Sequence, residues 1–157
     1  MLSPSGRLVW DLMLDADMNA RYWGYLAKRY QKYDSRAKLF LAVAGVFAFT
    51  SWVAEVPWLS AILALLTGAV AAALPILSLT QKVERMAGLR GVWTGIHFEL
   101  SRLWARVDTL DAELIDSELR QLQDRVAMVK RDDAALPHDG RLLNKCWDEV
   151  VVSMGLN

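Results

Sequence analysis

Residues 39–81 read LFLAVAGVFAFTSWVAEVPWLSAILALLTGAVAAALPILSLTQ, and this stretch decides the predicted fold. Its one ionisable side chain is Glu55, so uncharged residues run from Leu39 to Ala54 and again from Val56 to Gln81. A helix needs roughly 20 apolar residues to cross a hydrocarbon core. Pro57 marks a turn, because proline disfavours helix at the preceding residue and suits the first turn of the next helix. The pattern predicts a hairpin of two transmembrane helices, at about 37–55 and 57–80.

Basic side chains flank this stretch on both sides, whereas the turn carries only Glu55. They are Arg29, Lys32, Arg36 and Lys38 before the hairpin and Lys82, Arg85 and Arg90 after it. By the positive-inside rule, both termini are predicted to be cytoplasmic. A buried hairpin in a protein without membrane spans is the alternative, which is disfavoured because so short a chain has little amphipathic surface to cover two apolar helices.

The overall composition excludes several classes of protein. The chain has 157 residues, 54% of them hydrophobic, and a formal net charge of zero. Without an excess of positive charge, nucleic acid is not expected as a partner. One cysteine and two histidines predict neither a disulfide framework nor a metal site. No glycine-rich phosphate loop or nucleophile motif is present, so we expect no enzyme, no catalytic residue and no cofactor.

Small and weakly polar residues form a stripe on the second predicted span. The candidate residues for pore lining or hairpin packing are Ser60, Thr67, Ser78, Gly68 and Glu55. Such a stripe allows close packing against the first span, through Ala42, Gly45 and Ala48. Alternatively, it faces other copies or a water-filled lumen in an oligomer, with Glu55 as an acidic ring at the mouth.

The strongest periodicity follows the hairpin, in a predicted helix over 82–131. Apolar residues recur there at spacings of three and four, which is typical of a coiled-coil seam. The seam residues are Trp93, Ile96, Leu100, Leu103, Val107 and Leu110. A helix with such a seam needs a partner, which is either the N-terminal helix of residues 1–38, running antiparallel to it, or further copies. Because further copies can pack against the seam, a homo-oligomer is expected. The acidic residues over 108–118 are interpreted separately, either as a solvated face or as a docking patch.

The C-terminal segment, 132–157, is predicted to be a loop followed by an amphipathic helix. Asp139 is a candidate N-cap for a helix from Arg141 to Met154. Cys146 lies on the apolar face of that helix, which indicates a buried, inert thiol. The predicted fold class is thus an all-α membrane protein, with a two-helix transmembrane hairpin at 39–81 and a cytoplasmic helical bundle or coiled-coil stalk.

This layout resembles the SLATT group of bacterial two-transmembrane effector domains, which are associated with nucleotidyltransferase (SMODS) and nucleotide-sensor (SLOG) proteins. The resemblance extends over nearly the whole chain. It rests on Tyr22-Trp23, Arg29-Tyr30, Tyr33 and Arg36-Ala37, the two close spans, the long helix, and Asn144, Glu149-Val150 and Met154-Gly155. It implies a bacterial inner-membrane location, lipid contacts and a sensor or nucleotide-signalling protein as partner.

Two functions are expected on these grounds. The first is a membrane-embedded effector of an antiviral conflict system, which oligomerises and permeabilises or depolarises the inner membrane in abortive infection when a sensor triggers it. The second is a non-catalytic membrane anchor or scaffold, whose cytoplasmic helices recruit a soluble partner.

Overall fold

The computed structural model describes residues 4–53, 57–134 and 136–155, with only the backbone described at 48–53, 57, 59–60 and 74–77. Its five helices are α1 (Pro4–Val53), α2 (Pro57–Leu77), α3 (Leu79–Trp104), α4 (Ala112–Asp133) and α5 (Gly140–Ser153). The all-helical part of the predicted fold class is therefore correct. The helices divide into two compact units, of which unit 1 comprises Met1–Leu26 and Arg85–Asn157 and unit 2 comprises Ala27–Glu84.

In unit 1, α3 and α4 run antiparallel. Arg106, just beyond the C-terminal end of α3, pairs with Glu118 near the start of α4, with 3.3 Å between Nη2 and Oε2. Glu99, further back along α3, pairs with Arg125, further forward along α4. Since one residue number falls as the other rises, the two helices form a hairpin.

The N-terminal part of α1 packs antiparallel to α3. The rings of Trp10 and Trp104 lie 5.0 Å apart, and Gly24 faces Arg90. A Cβ at position 24 would lie 3.2 Å from Cδ of Arg90, so the helices approach closely there because the residue is glycine. Of the two partners considered for the predicted seam, the structure therefore provides the N-terminal helix.

Helix α5 packs on α1 near residues 21–25. Arg21 donates from Nη2 to Oγ of Ser153 at 3.1 Å, and the hydroxyl of Tyr25 donates to Glu149 at 3.1 Å. Asp139 caps α5, since its carboxylate accepts from the backbone N–H groups of Arg141 and Leu142.

Unit 1 has a continuous apolar core, built from one stripe of each helix. It holds Val9, Met13, Leu14, Ala16, Tyr22, Trp23 and Leu26 from α1; Met86, Leu89, Trp93, Ile96, Leu100 and Leu103 from α3; Ile115, Leu119, Leu122, Val126 and Val129 from α4; and Cys146 and Val150 from α5. The stripes follow the spacing of three and four that buries one face of a helix.

The predicted long helix over 82–131 is two helices. Helix α3 ends at Trp104, and turns occupy 105–110. There Arg106 N donates to Leu103 O, and Oγ1 of Thr109 donates back to Arg106 O. These shorter-range bonds replace the α-helical ladder, and a new helix begins after Asp111, whose backbone is extended.

Unit 2 contains the C-terminal part of α1, α2 and the first residues of α3. Its polar contacts join Asp34, Lys38 and Thr80: Nζ of Lys38 lies 2.5 Å from Oδ2 of Asp34, and the hydroxyl of Thr80 donates to Oδ1 at 3.4 Å. Ala44 is buried, but the large apolar side chains around it are exposed.

The membrane prediction is wrong for the part of the chain that the structure describes. No helix there is both long and apolar enough to cross a membrane. Helix α1 carries Arg36 and Lys38 directly before Leu39, whereas a span needs roughly 20 apolar residues in one run. The transmembrane hairpin at 39–81, the inner-membrane location with cytoplasmic termini and the pore-forming role are corrected accordingly.

Candidate functional site

The main candidate for a functional site in unit 2 is its exposed apolar surface, which we call the hairpin surface. It consists of nine large side chains: Leu39, Phe40, Val43, Val46 and Phe47 on α1, and Trp58, Ile62, Leu65 and Leu66 on α2. Their exposed fractions lie between 45% and 75%. Monomeric soluble proteins seldom expose a contiguous apolar patch larger than a few hundred Å², so nine such side chains on one hairpin indicate an interaction surface.

Of the residues proposed to line a pore or to pack the hairpin, the structure describes the positions of Thr67, Gly68 and Ser78. The hydroxyl of Thr67 donates to Leu63 O within the same helix at 2.6 Å. Ser78 lies beyond the end of α2, with φ of 44°. A Cβ added at Gly68 would meet nothing within 4 Å among the described residues. The Ser60 side chain and Glu55 lie outside the described residues.

The predicted oligomer seam is occupied within the chain itself. Trp93, Ile96, Leu100 and Leu103 are at most 1% exposed in unit 1, while Val107 and Leu110 are half-buried in the turn after α3. Four of the six seam residues thus have no surface left for a second copy.

Tyr22 holds the loop before α5 against α1, a contact that sequence reasoning missed. Its hydroxyl accepts from the backbone N–H of Asp139 at 2.8 Å and donates to Pro137 O at 3.4 Å. Burial raises the pKa of the Tyr22 phenol, so the hydroxyl keeps its proton. Nothing in the helical periodicity pairs Tyr22 with a loop more than 100 residues away.

A cavity of about 540 Å³ lies beside this contact in unit 1. Asn19 lines it and donates to its own helix, at Asp15 O and Oδ1. Lys130 reaches Oδ2 of the same Asp15 at 2.9 Å. Burial raises the pKa of Asp133, against the lowering effect of Lys130. The ion pair between Lys130 and Asp15 joins α4 to α1 beside the cavity.

The remaining candidate groups do not form a reactive constellation among the described residues. Cys146 is fully buried, and burial raises the pKa of its thiol. His138 lies 6.1 Å from the ring of Tyr22, and His97 is half-buried on α3. Within the described ranges, no group of three His, Cys, Asp or Glu is placed to hold a metal ion.

Two side chains of the acidic strip over 108–118 make contacts inside unit 1. Asp116 accepts from the Ser5 hydroxyl at 2.9 Å, and Glu118 pairs with Arg106. These contacts use the strip inside unit 1, which weakens its interpretation as a docking patch.

Comparison with known proteins adds no relative. No protein-family model, no curated protein and no solved structure matches the chain. The function must therefore be inferred from the surfaces and contacts described above.

Proposed function

We propose that the chain is a non-enzymatic scaffold, in which copies associate through the hairpin surface and the helical bundle of unit 1 recruits another protein. The observation that supports this most directly is the exposure of nine large apolar side chains on unit 2. Burying them against a partner removes apolar area from water at roughly 25 cal/mol per Å², which favours association.

The partner that we infer for the hairpin surface is a second copy. Between Leu39 and Phe47, and again from Trp58 to Leu66, the sequence contains no charged residue. An occupant of complementary chemistry is therefore itself apolar, and another hairpin supplies the same side chains. A two-fold interface uses the same patch on both copies, which makes self-association the simplest way to cover it.

The bundle of unit 1 is the part available to a different partner. Its core is closed within the chain, so it folds without using the apolar residues of the hairpin surface. The resemblance to the SLATT group supplies the class of that partner, a sensor or nucleotide-signalling protein of an antiviral system. Self-association stands as a proposal independently of that resemblance.

The test is the mass of the particle in solution, measured by sedimentation velocity over a range of concentrations. Val46→Glu and Leu65→Glu together place one charge on each helix of the hairpin, at side chains 63% and 75% exposed. We expect the wild type to sediment as a dimer or larger assembly and the double variant as a monomer, because a buried unpaired carboxylate is costly. Phe98→Glu is the matched control, since Phe98 is 62% exposed but lies on α3 in unit 1.

Three results would overturn the proposal. These are a wild type that remains monomeric at all concentrations, a double variant that still assembles, and recovery of the wild type only in lipid-bound form. Far-ultraviolet circular dichroism of each variant separates loss of association from loss of helical structure.

A further inference from the structure

Unit 1 contains a second feature, the cleft between α3 and α4 that their two ion pairs cross. The cleft has a volume of about 320 Å³ and is lined by Glu99, Arg102, Arg106, Glu118, Gln121, Leu122 and Arg125. Three arginines against two glutamates leave one excess positive charge. Pockets of small-molecule sites begin at about 300 Å³, so the space fits a small ligand.

Two of the three arginines are held in place by protein groups. Arg106 donates from Nη2 to Glu118 at 3.3 Å and from Nε to Arg102 O at 3.3 Å. Arg125 donates from Nη1 to Oε2 of Glu99. Each of these guanidiniums is directed towards a carboxylate and has further N–H groups that these bonds do not use, since a guanidinium carries five N–H donors.

The third arginine differs from the other two. Within the part of the chain that the structure describes, no acceptor pairs with the guanidinium of Arg102. Both carboxylates of the cleft are already paired with its neighbours. A positive charge beside two oriented guanidiniums, with no acidic partner of its own, is the arrangement that binds an external anion.

We propose that this cleft binds a small phosphate-bearing ligand with two or more negative charges. A phosphate group offers several oxygens to the forked donors of Arg102, Arg106 and Arg125, whereas a single planar carboxylate offers two to one fork. The site lies in unit 1 and does not depend on self-association through the hairpin surface. Glu99 and Glu118 orient the arginines and limit the excess charge, which favours a compact anion over a long polyanion.

The experiment is isothermal titration of the full chain with inorganic pyrophosphate at fixed ionic strength, since screening by salt changes such affinities. We expect binding with a dissociation constant below about 1 mM and a loss of about tenfold in Arg102→Ala, because one set of charge-assisted hydrogen bonds disappears. Arg102→Lys keeps the charge without the fork and should lose part of the affinity. Arg120→Ala is the matched control, as Arg120 is an exposed arginine of α4 that does not line the cleft.

Several outcomes would overturn the proposal. One is the absence of binding by the wild type, and another is an equal loss of affinity in Arg120→Ala, which would indicate an unspecific charge effect. Citrate is titrated in parallel, and equal affinity for it would refute the assignment to phosphate. Thermal unfolding of each variant without ligand shows that the bundle is intact, and the monomeric double variant Val46→Glu/Leu65→Glu should bind pyrophosphate like the wild type.

Discussion

Units 1 and 2 place similar apolar residues in opposite environments. In unit 1, helical stripes such as Trp93, Ile96 and Leu100 are fully buried, and polar side chains pair across helices. In unit 2, side chains of the same kinds, such as Phe47 and Leu65, are 60% and 75% exposed. Hydrophobicity alone therefore does not distinguish a core from an interface. A core differs from an interface in that other helices of the same chain cover its apolar side chains.

The amphipathic pattern explains this difference. Each helix of unit 1 carries apolar residues on one face and charged residues on the other, so four helices bury their faces against one another. The hairpin helices of unit 2 carry no charged residue over 39–53 and 57–77, and two helices that are apolar all round cannot cover each other completely. The one-sided pattern of unit 1 therefore stabilises the folded chain, whereas the all-round apolar pattern of unit 2 leaves apolar surface exposed for association.

The largest expected effect contrasts one buried residue with one exposed residue. Trp93→Ala removes a large side chain that is 0% exposed and should lower the free energy of unfolding by about 3–5 kcal/mol. Leu65→Ala, at a side chain that is 75% exposed, should change the free energy of unfolding by less than about 0.5 kcal/mol. It is made in a chain that already carries Val46→Glu, so that association through the hairpin surface does not contribute. Urea unfolding followed by circular dichroism measures both. Similar losses at the two positions would contradict the contrast between the units.

A second effect concerns access to the core of unit 1. Cys146 is fully buried and burial raises the pKa of its thiol, so little reactive thiolate is available in the folded bundle. We expect an aromatic disulfide reagent to label it on the order of 100-fold more slowly than the unfolded chain. Cys146→Ser with Asn144→Cys moves the thiol to an exposed position of α5 and should react rapidly. Fast labelling of folded wild type would show that the bundle opens easily.

A third effect tests the start of α5. Asp139→Ala removes the carboxylate that accepts from the N–H groups of Arg141 and Leu142, which should cost about 1 kcal/mol of stability. Asp148→Ala removes a carboxylate from an exposed position within the same helix and serves as the control. If the two variants unfold at the same urea concentration, the cap contributes nothing measurable to the bundle.

The sequence predicts the local features of unit 1 better than the arrangement of the whole. Spacing identified the buried stripe from Trp93 to Leu103, and Asp139 was predicted as the N-cap of α5, because both features depend on neighbours along the chain. The break after Trp104 was missed, since the apolar spacing continues through Val107 and Leu110 while the backbone turns. The hairpin was assigned to a membrane because its two runs are uncharged, and an uncharged run does not by itself indicate what covers it. The arginine cleft combines residues of two helices, and no motif in either one indicates it.

The smallest expected effect is a pH dependence at the C-terminal end of α4. Burial raises the pKa of Asp133 above its usual 3.8, more than Lys130 lowers it. The folded chain thus binds this proton more tightly than the unfolded chain, so the associated stability is fully present below the unfolded pKa and is lost as pH rises through the folded pKa. Asp133→Asn stays neutral and should raise the free energy of unfolding at neutral pH by less than about 0.5 kcal/mol, with the difference vanishing below pH 3.8. Asp132→Asn makes the same charge change at an exposed neighbour, and urea unfolding from pH 3 to 7 compares the two. An Asp133→Asn variant that is less stable than the wild type at neutral pH would show that the ionised carboxylate stabilises unit 1, so that its ion pairing outweighs the cost of its burial.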